Sequence, residues 1–202
     1  MDDYGLNPAE KQDWRKTVLI LSAMQIILLA IAVLWGWWRN ISWQPLRLPG
    51  TAPAASWVFT ALILGIANSL SANAALNYFI RRGNEAALWL RDVLLLPAFK
   101  DLPLPACLWL ALLSACGEEF SFRLILLAET GPLISSIIFG IMHGGHRYLR
   151  WYMVWAASLG GIFCLLVHLT GNLWPAIALH FSSNLTSFIL LRRYSDKREH
   201  VE

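Results

Sequence analysis

Charge is what this chain has least of. Asp, Glu, Lys and Arg make up 14% of its 202 residues, where soluble domains carry about 25%. Hydrophobic residues make up 57%, 11 of them tryptophan, and mean hydropathy is +0.51. These values exclude a disordered polymer and an ordinary soluble enzyme. The formal net charge of +3 is too small for a basic nucleic-acid binder and calls for no acidic partner. Cysteines number three. Cys107, Cys116 and Cys164 lie far apart in apolar sequence. They form no C-x-x-C pair and no disulfide framework, and they read as small buried hydrophobes. Internal repeats and low-complexity segments are absent too. What remains is an integral membrane protein, all-α, a polytopic transmembrane helical bundle.

The spans follow from the spacing of the few charges. No charge occurs from Thr17 to Trp38. At about 1.5 Å per residue this run gives roughly 33 Å of helix, enough for a bilayer core of about 30 Å. It is too long for a signal-peptide core and lacks a small-x-small cleavage site, so it reads as a retained anchor. Further spans are expected over 54–80, 103–128, 132–145, 151–169 and 172–191, six in all, with Gly171-Asn172 as the last tight turn. Residues 81–101 gather seven charges around a short apolar stretch and read as a short interfacial helix. The organisation is one membrane domain over 1–202. It comprises N-terminal spans and a surface helix over 1–101, chemistry-bearing spans over 102–191 and a tail over 192–202.

Six spans place both termini on one side. That side receives 13 of the 16 Lys and Arg residues, the other only Arg39 and Arg47. By the positive-inside rule both termini are expected in the cytoplasm. Trp35, Trp37, Trp38, Trp43, Trp57 and Trp174 fall at outer helix ends, and Trp151 and Trp155 at an inner end. They read as interfacial belts.

The third span breaks the pattern with Gly117-Glu118-Glu119-Phe120-Ser121-Phe122-Arg123. Each charge at mid-helix costs about 2.5–3.5 kcal/mol on insertion scales. Glu119 and Arg123 are i,i+4 and can neutralise each other. Glu118 is turned about 100° from Glu119 and has no partner in its own helix. The fourth span adds His143, and the sixth adds His180 and Asn184 on one face. All must face the bundle interior to avoid lipid. A carboxylate removed from bulk water is a stronger general base. A histidine beside it can orient the same water, and a second histidine with an amide can hold an oxyanion. Glu and His equally suit zinc, so the atoms alone leave a metal site open. His168 reads as structural or interfacial, and His146 and His200 lie in polar segments. Phe122 and Phe139 read as packing, Glu129 as a solvated helix end, and Asn68, Asn73 and Asn77 as helix-packing groups.

Three pieces in order resemble a known family: Glu118-Glu119-x-x-x-Arg123, Phe139-x-x-x-His143 and His180-x-x-x-Asn184, preceded by Thr170-Gly171-Asn172-Leu173-Trp174. The chain looks like the CAAX protease and bacteriocin-processing (CPBP) family of intramembrane proteases, the type 2 CAAX prenyl proteases. The resemblance covers about 114–184; the first hundred residues match in hydrophobicity alone. It implies a helical membrane protease with a cavity open to the cytosolic leaflet. Glu118 and His143 would activate water, His180 and Asn184 would stabilise the oxyanion, and Glu119 and Arg123 would support the site. It also implies no metal or other cofactor, the zinc-dependent version being less favoured. Leu124 departs from the family, many of whose members have glycine there, so substrate scope is not carried across.

The expectation is therefore an intramembrane endopeptidase in a bacterial inner (plasma) membrane. Its partners would be a membrane protein or lipidated peptide substrate and membrane lipids, with no nucleic acid. Two other classes use the same residues: a non-catalytic immunity or scaffold protein on this fold, and a small transporter or proton relay. The sequence names neither the substrate nor the oligomeric state.

Overall fold

The computed structural model describes residues 13–48 and 52–198, which are helical apart from short connections. Lys11 and His200 lie outside the described residues. The helices are α1 Trp14–Trp38, α2 Ala52–Arg81, α3 Glu85–Trp89, α4 Leu96–Phe99, α5 Leu104–Glu119, α6 Leu127–Met142, α7 Arg150–Thr170 and α8 Trp174–Arg198. Two π-helical turns, Leu90–Leu95 and Phe120–Leu126, join α3 to α4 and α5 to α6. Among the described residues four stretches are long and apolar enough to cross a membrane: Trp14–Trp38, Ala55–Arg81, Leu104–Met142 and Arg147–Thr170. With their outward-facing apolar side chains, they make this an integral membrane protein of the helical-bundle class.

Three of the six expected spans differ in form, and the sixth, in α8, is not among these four stretches. The third and fourth are one run of helix, Leu104–Met142, broken at Gly131, where φ is 81° and ψ is 172°. That backbone is open essentially to glycine alone, and Pro132 follows it. The chain reverses there. Ser135 Oγ donates to the Phe122 carbonyl at 2.7 Å across 13 positions, a separation of roughly 20 Å in a straight helix. The sixth span, α8, is less apolar than the others because it carries the polar side chains of the interior. Ser182, Ser183 and His180 are buried, Asn68 of α2 donates to Ser183 at 2.9 Å, and Ser69 meets Ser187 at 2.7 Å. Asn68 is thus a packing group, as its position implies.

Local signals fix the ends. The Asp13 side chain caps α1, and that of Asn84 caps α3. Gly171, with φ 61°, ends α7 in the left-handed conformation. The Asn172 side chain then accepts from Trp174 N–H at 2.9 Å to start α8.

The bundle is built from close pairs, α2 on α8, α6 on α7, α5 on α8 and α1 on α5. Glycine permits the closest approaches. A Cβ at Gly65 would lie 2.0 Å from Ser182 Oγ, and one at Gly140 would lie 2.6 Å from the Met153 carbonyl. The loop after α1 ties neighbouring helix ends together. Trp43 stacks on Phe120 with ring centroids 5.5 Å apart. Leu173 N–H donates to Pro45 O at 2.9 Å, and Trp174 Nε1 to Leu46 O at 3.1 Å. Glu129 is not a free solvated end: Arg39 grips it bidentately at 3.0 and 3.3 Å, joining α1 to the first turn of α6. The surface segment over 85–99 rests on the loop before α7, where Trp89 stacks on His146 at 4.2 Å.

Candidate active site

Glu118 and Glu119 sit at the end of α5, where the helix widens into the π turn. Such turns recur at functional sites because they change which way successive side chains point. Here the two neighbouring carboxylates go to different places.

Glu119 points into the packed interior. Its side chain and that of Arg123 are both 0% exposed, and Arg123 Nε stands 3.3 Å from Glu119 Oε2. The guanidinium is enclosed by aromatic rings, 3.9 Å from the centroid of Phe139, 4.8 Å from Phe163 and 5.6 Å from Phe122. These faces are electronegative and attract the cation, whose three nitrogens are buried without a hydrogen bond among the described residues. The other oxygen, Oε1, lies 2.7 Å from His180 Nδ1. The carboxylate beside Arg123 accepts, so Nδ1 carries the proton. Phe163 stacks on the His180 ring, centroids 5.4 Å apart and 9° from parallel. Glu119 and Arg123 thus form a pair, as their spacing implies, and the pair also orients His180.

Glu118 is 13% exposed. Its Oε1 accepts from Gln25 Nε2 at 2.8 Å. Its Oε2 lies 3.8 Å from His143 Nε2 and 3.9 Å from His180 Nε2. Oε2 makes no hydrogen bond among the described residues. His143 Nδ1 lies 2.8 Å from the Phe139 carbonyl. A carbonyl only accepts, so Nδ1 bears a hydrogen, and when the ring carries no second one Nε2 is an acceptor. Two acceptors then face each other across 3.8 Å. One water can donate one hydrogen to each and keep its own lone pairs free. His143 is 25% exposed, the most open of the three close groups. Tyr152 of α7 stands edge-on to His143 at 5.9 Å.

Asn184 lies one turn beyond His180 on α8, and its Nδ2 donates to Ser114 Oγ at 3.0 Å. Ser114 is one turn before Glu118 on α5. The structure therefore brings Glu118, His143 and His180 together within 4 Å contacts and sets Asn184 beside them, one helical turn toward Ser114. The short α6 ends at the depth of Glu118, far from the start of α5. Among the described residues no three of His, Cys, Asp and Glu are arranged to hold a metal ion. His168, His146 and Glu129 have no part in the cluster: His168 is exposed, His146 stacks on Trp89 and Glu129 pairs with Arg39.

Gln25 is the site neighbour that reading the sequence passes over. Its signal is faint but present, for it is the one amide in the charge-free run of α1. Ser114 and Tyr152 carry no such signal. A serine and a tyrosine in apolar helices are common, and only the packing of α5, α7 and α8 gives them neighbours.

Comparisons with known proteins cover part of the chain. Residues 100–186 match the family model described as type II CAAX prenyl endopeptidase Rce1-like. The chain is also similar to the uncharacterized protein YpbD of Bacillus subtilis (strain 168), with 30% identity over 110 residues. That match covers 52% of this chain and 57% of YpbD, so it spans little more than half of the relative. No solved structure matches the chain. The matched stretch contains Glu118, Glu119, Arg123, His143, His180 and Asn184.

Proposed function

We propose that this membrane protein, Rce1-like over residues 100–186, is an intramembrane endopeptidase in which Glu118 activates water. The observation that carries the reading is the pair of acceptors, Glu118 Oε2 and His143 Nε2, 3.8 Å apart in a largely enclosed site. In the attack, Glu118 takes a proton from the water and the water oxygen forms a bond to the scissile carbonyl carbon. The carbonyl electron pair moves onto oxygen. His180, held through Nδ1 by Glu119, and the Asn184 amide would stabilise that oxyanion. Collapse breaks the C–N bond, and the proton held by Glu118 passes to the leaving amine. Atoms and protons balance without a cofactor.

The reading is metal-independent. It draws on the resemblance. The substrate is a membrane protein or lipidated peptide, because the reacting atoms lie within a bundle whose outer faces are apolar. Lipid is its other partner, and nucleic acid is not one. The charge asymmetry supports cytoplasmic termini, and similarity to a Bacillus subtilis protein supports a bacterial plasma membrane.

The test compares protein termini, by mass spectrometry, in membranes from cells with the wild type and with Glu118→Gln. Uncut precursors are expected to accumulate in the variant. Identical termini, under conditions where deleting the gene has a phenotype, would instead favour a non-catalytic immunity or scaffold role.

A further inference from the structure

We infer that Gln25 of α1 is a positioning residue for Glu118, anchoring one carboxylate oxygen so that the other faces the two imidazoles. The inference rests on the protease reading and adds to it a residue from outside the Rce1-like stretch of 100–186.

A carboxylate has two equivalent oxygens and can turn about its last bond to present either. At this site they are not equivalent. Oε1 is engaged by Gln25 Nε2 at 2.8 Å, while Oε2 stands 3.8 and 3.9 Å from the two ring nitrogens. The amide cannot be reversed, because Gln25 Oε1 against Glu118 Oε1 would set acceptor on acceptor. Its orientation leaves Gln25 Oε1 buried without a hydrogen bond among the described residues. An apolar side chain at this position of α1 would leave no such orphan. Gly117 supplies the room. A Cβ there would lie 2.8 Å from Gln25 Oε1 and 3.3 Å from the Gln25 carbonyl. The residue before Glu118 is thus the one that lets α1 reach the carboxylate.

The role predicts an effect on the chemical step rather than on substrate binding. Gln25→Met keeps the length and bulk of the side chain and removes its donor. The assay uses a synthetic peptide carrying a cut site that disappears in Glu118→Gln membranes, with the purified proteins in lipid vesicles. Gln25→Met is expected to lower kcat about ten- to a hundredfold with KM within about twofold and an unchanged melting temperature. Gly117→Ala, which pushes the amide aside, is expected to lower kcat in the same direction, and it serves if Gln25→Met fails to fold. A wild-type kcat in both variants overturns the inference, as does a raised KM with kcat intact, which would make Gln25 a substrate contact. Either result leaves the protease reading standing, provided that Glu118→Gln abolishes cleavage. If Glu118→Gln membranes show wild-type termini, the protease reading falls and takes this inference with it.

Discussion

His180 joins two adjacent carboxylates, with Nδ1 2.7 Å from Glu119 Oε1 and Nε2 3.9 Å from Glu118 Oε2. One imidazole thereby ties the buried ion pair to the solvent-reachable glutamate. The pair Glu119–Arg123 has two tasks, to neutralise itself in the interior and to fix the tautomer and direction of the ring. Separating these tasks is a matter of choosing substitutions.

Removing one partner of the buried pair leaves an uncompensated charge. Arg123→Met and Glu119→Gln are each expected to destabilise the protein by about 3–5 kcal/mol. The double variant is expected to recover part of that loss, since neither charge then remains. Thermal unfolding in detergent measures this as a double-mutant cycle. Strictly additive losses would mean that the two side chains do not act as a pair.

Gly131 is expected to resist every substitution, although space is available. No atom lies within 4 Å of where its Cβ would be, so the obstacle is the backbone alone, φ 81° with ψ 172°. Gly131→Asn should cost on the order of 1–3 kcal/mol. Gly83, at φ 71° with equally open surroundings, is a turn glycine between α2 and α3 and provides the contrast. Asn enters the left-handed region routinely, so Gly83→Asn should be nearly neutral. Equal effects at the two sites would contradict the assignment of the reversal to Gly131.

Gly65 and Gly161 make a second contrast, this time of space. A Cβ at Gly65 would lie 2.0 Å from Ser182 Oγ and 2.3 Å from the Leu179 carbonyl, whereas at Gly161 the nearest atom is 4.0 Å away. Gly65→Ala should force α2 from α8 and cost about 1–3 kcal/mol. Ser182→Ala should not rescue it, because the Leu179 backbone stays in the way. Gly161→Ala should be neutral or slightly stabilising through helix propensity. Melting temperatures of the three variants decide the matter.

Much of the arrangement was legible in the residues. Charges and imidazoles are so costly in lipid that their positions alone pointed inward, and i,i+4 spacing paired Glu119 with Arg123. The helical runs showed as apolar stretches, and the gap between the expected spans 103–128 and 132–145 brackets the reversal at Gly131. What stayed hidden depends on how helices lie against one another. No periodicity in α1 says that Gln25 reaches α5, and none in α5 says that Ser114 meets Asn184. The contact of His180 with Glu119 is equally a product of packing, since α8 could turn that ring toward either carboxylate. Glu129 looked solvated because its partner, Arg39, is 90 positions away and only the fold closes the gap.

The last prediction concerns metal. Glu118 Oε2 and the two Nε2 atoms are 3.8 and 3.9 Å apart, whereas donors about 2.0–2.1 Å from one zinc ion would stand closer together. Both rings have Nδ1 tied to protein, His143 to a carbonyl and His180 to a carboxylate. Such outer contacts serve a general-base site and a zinc site equally, so the contacts alone do not choose. The water-activation reading expects cleavage to survive exhaustive chelation and dialysis, with no gain when zinc is returned. Loss on chelation and recovery with zinc would reassign His143, His180 and Glu118 from handling a water directly to ligation. The same experiment on Gln25→Met is informative. In a zinc site its amide would hold a ligand and its loss would weaken metal affinity, whereas in a metal-free site its effect stays in kcat and is indifferent to chelator.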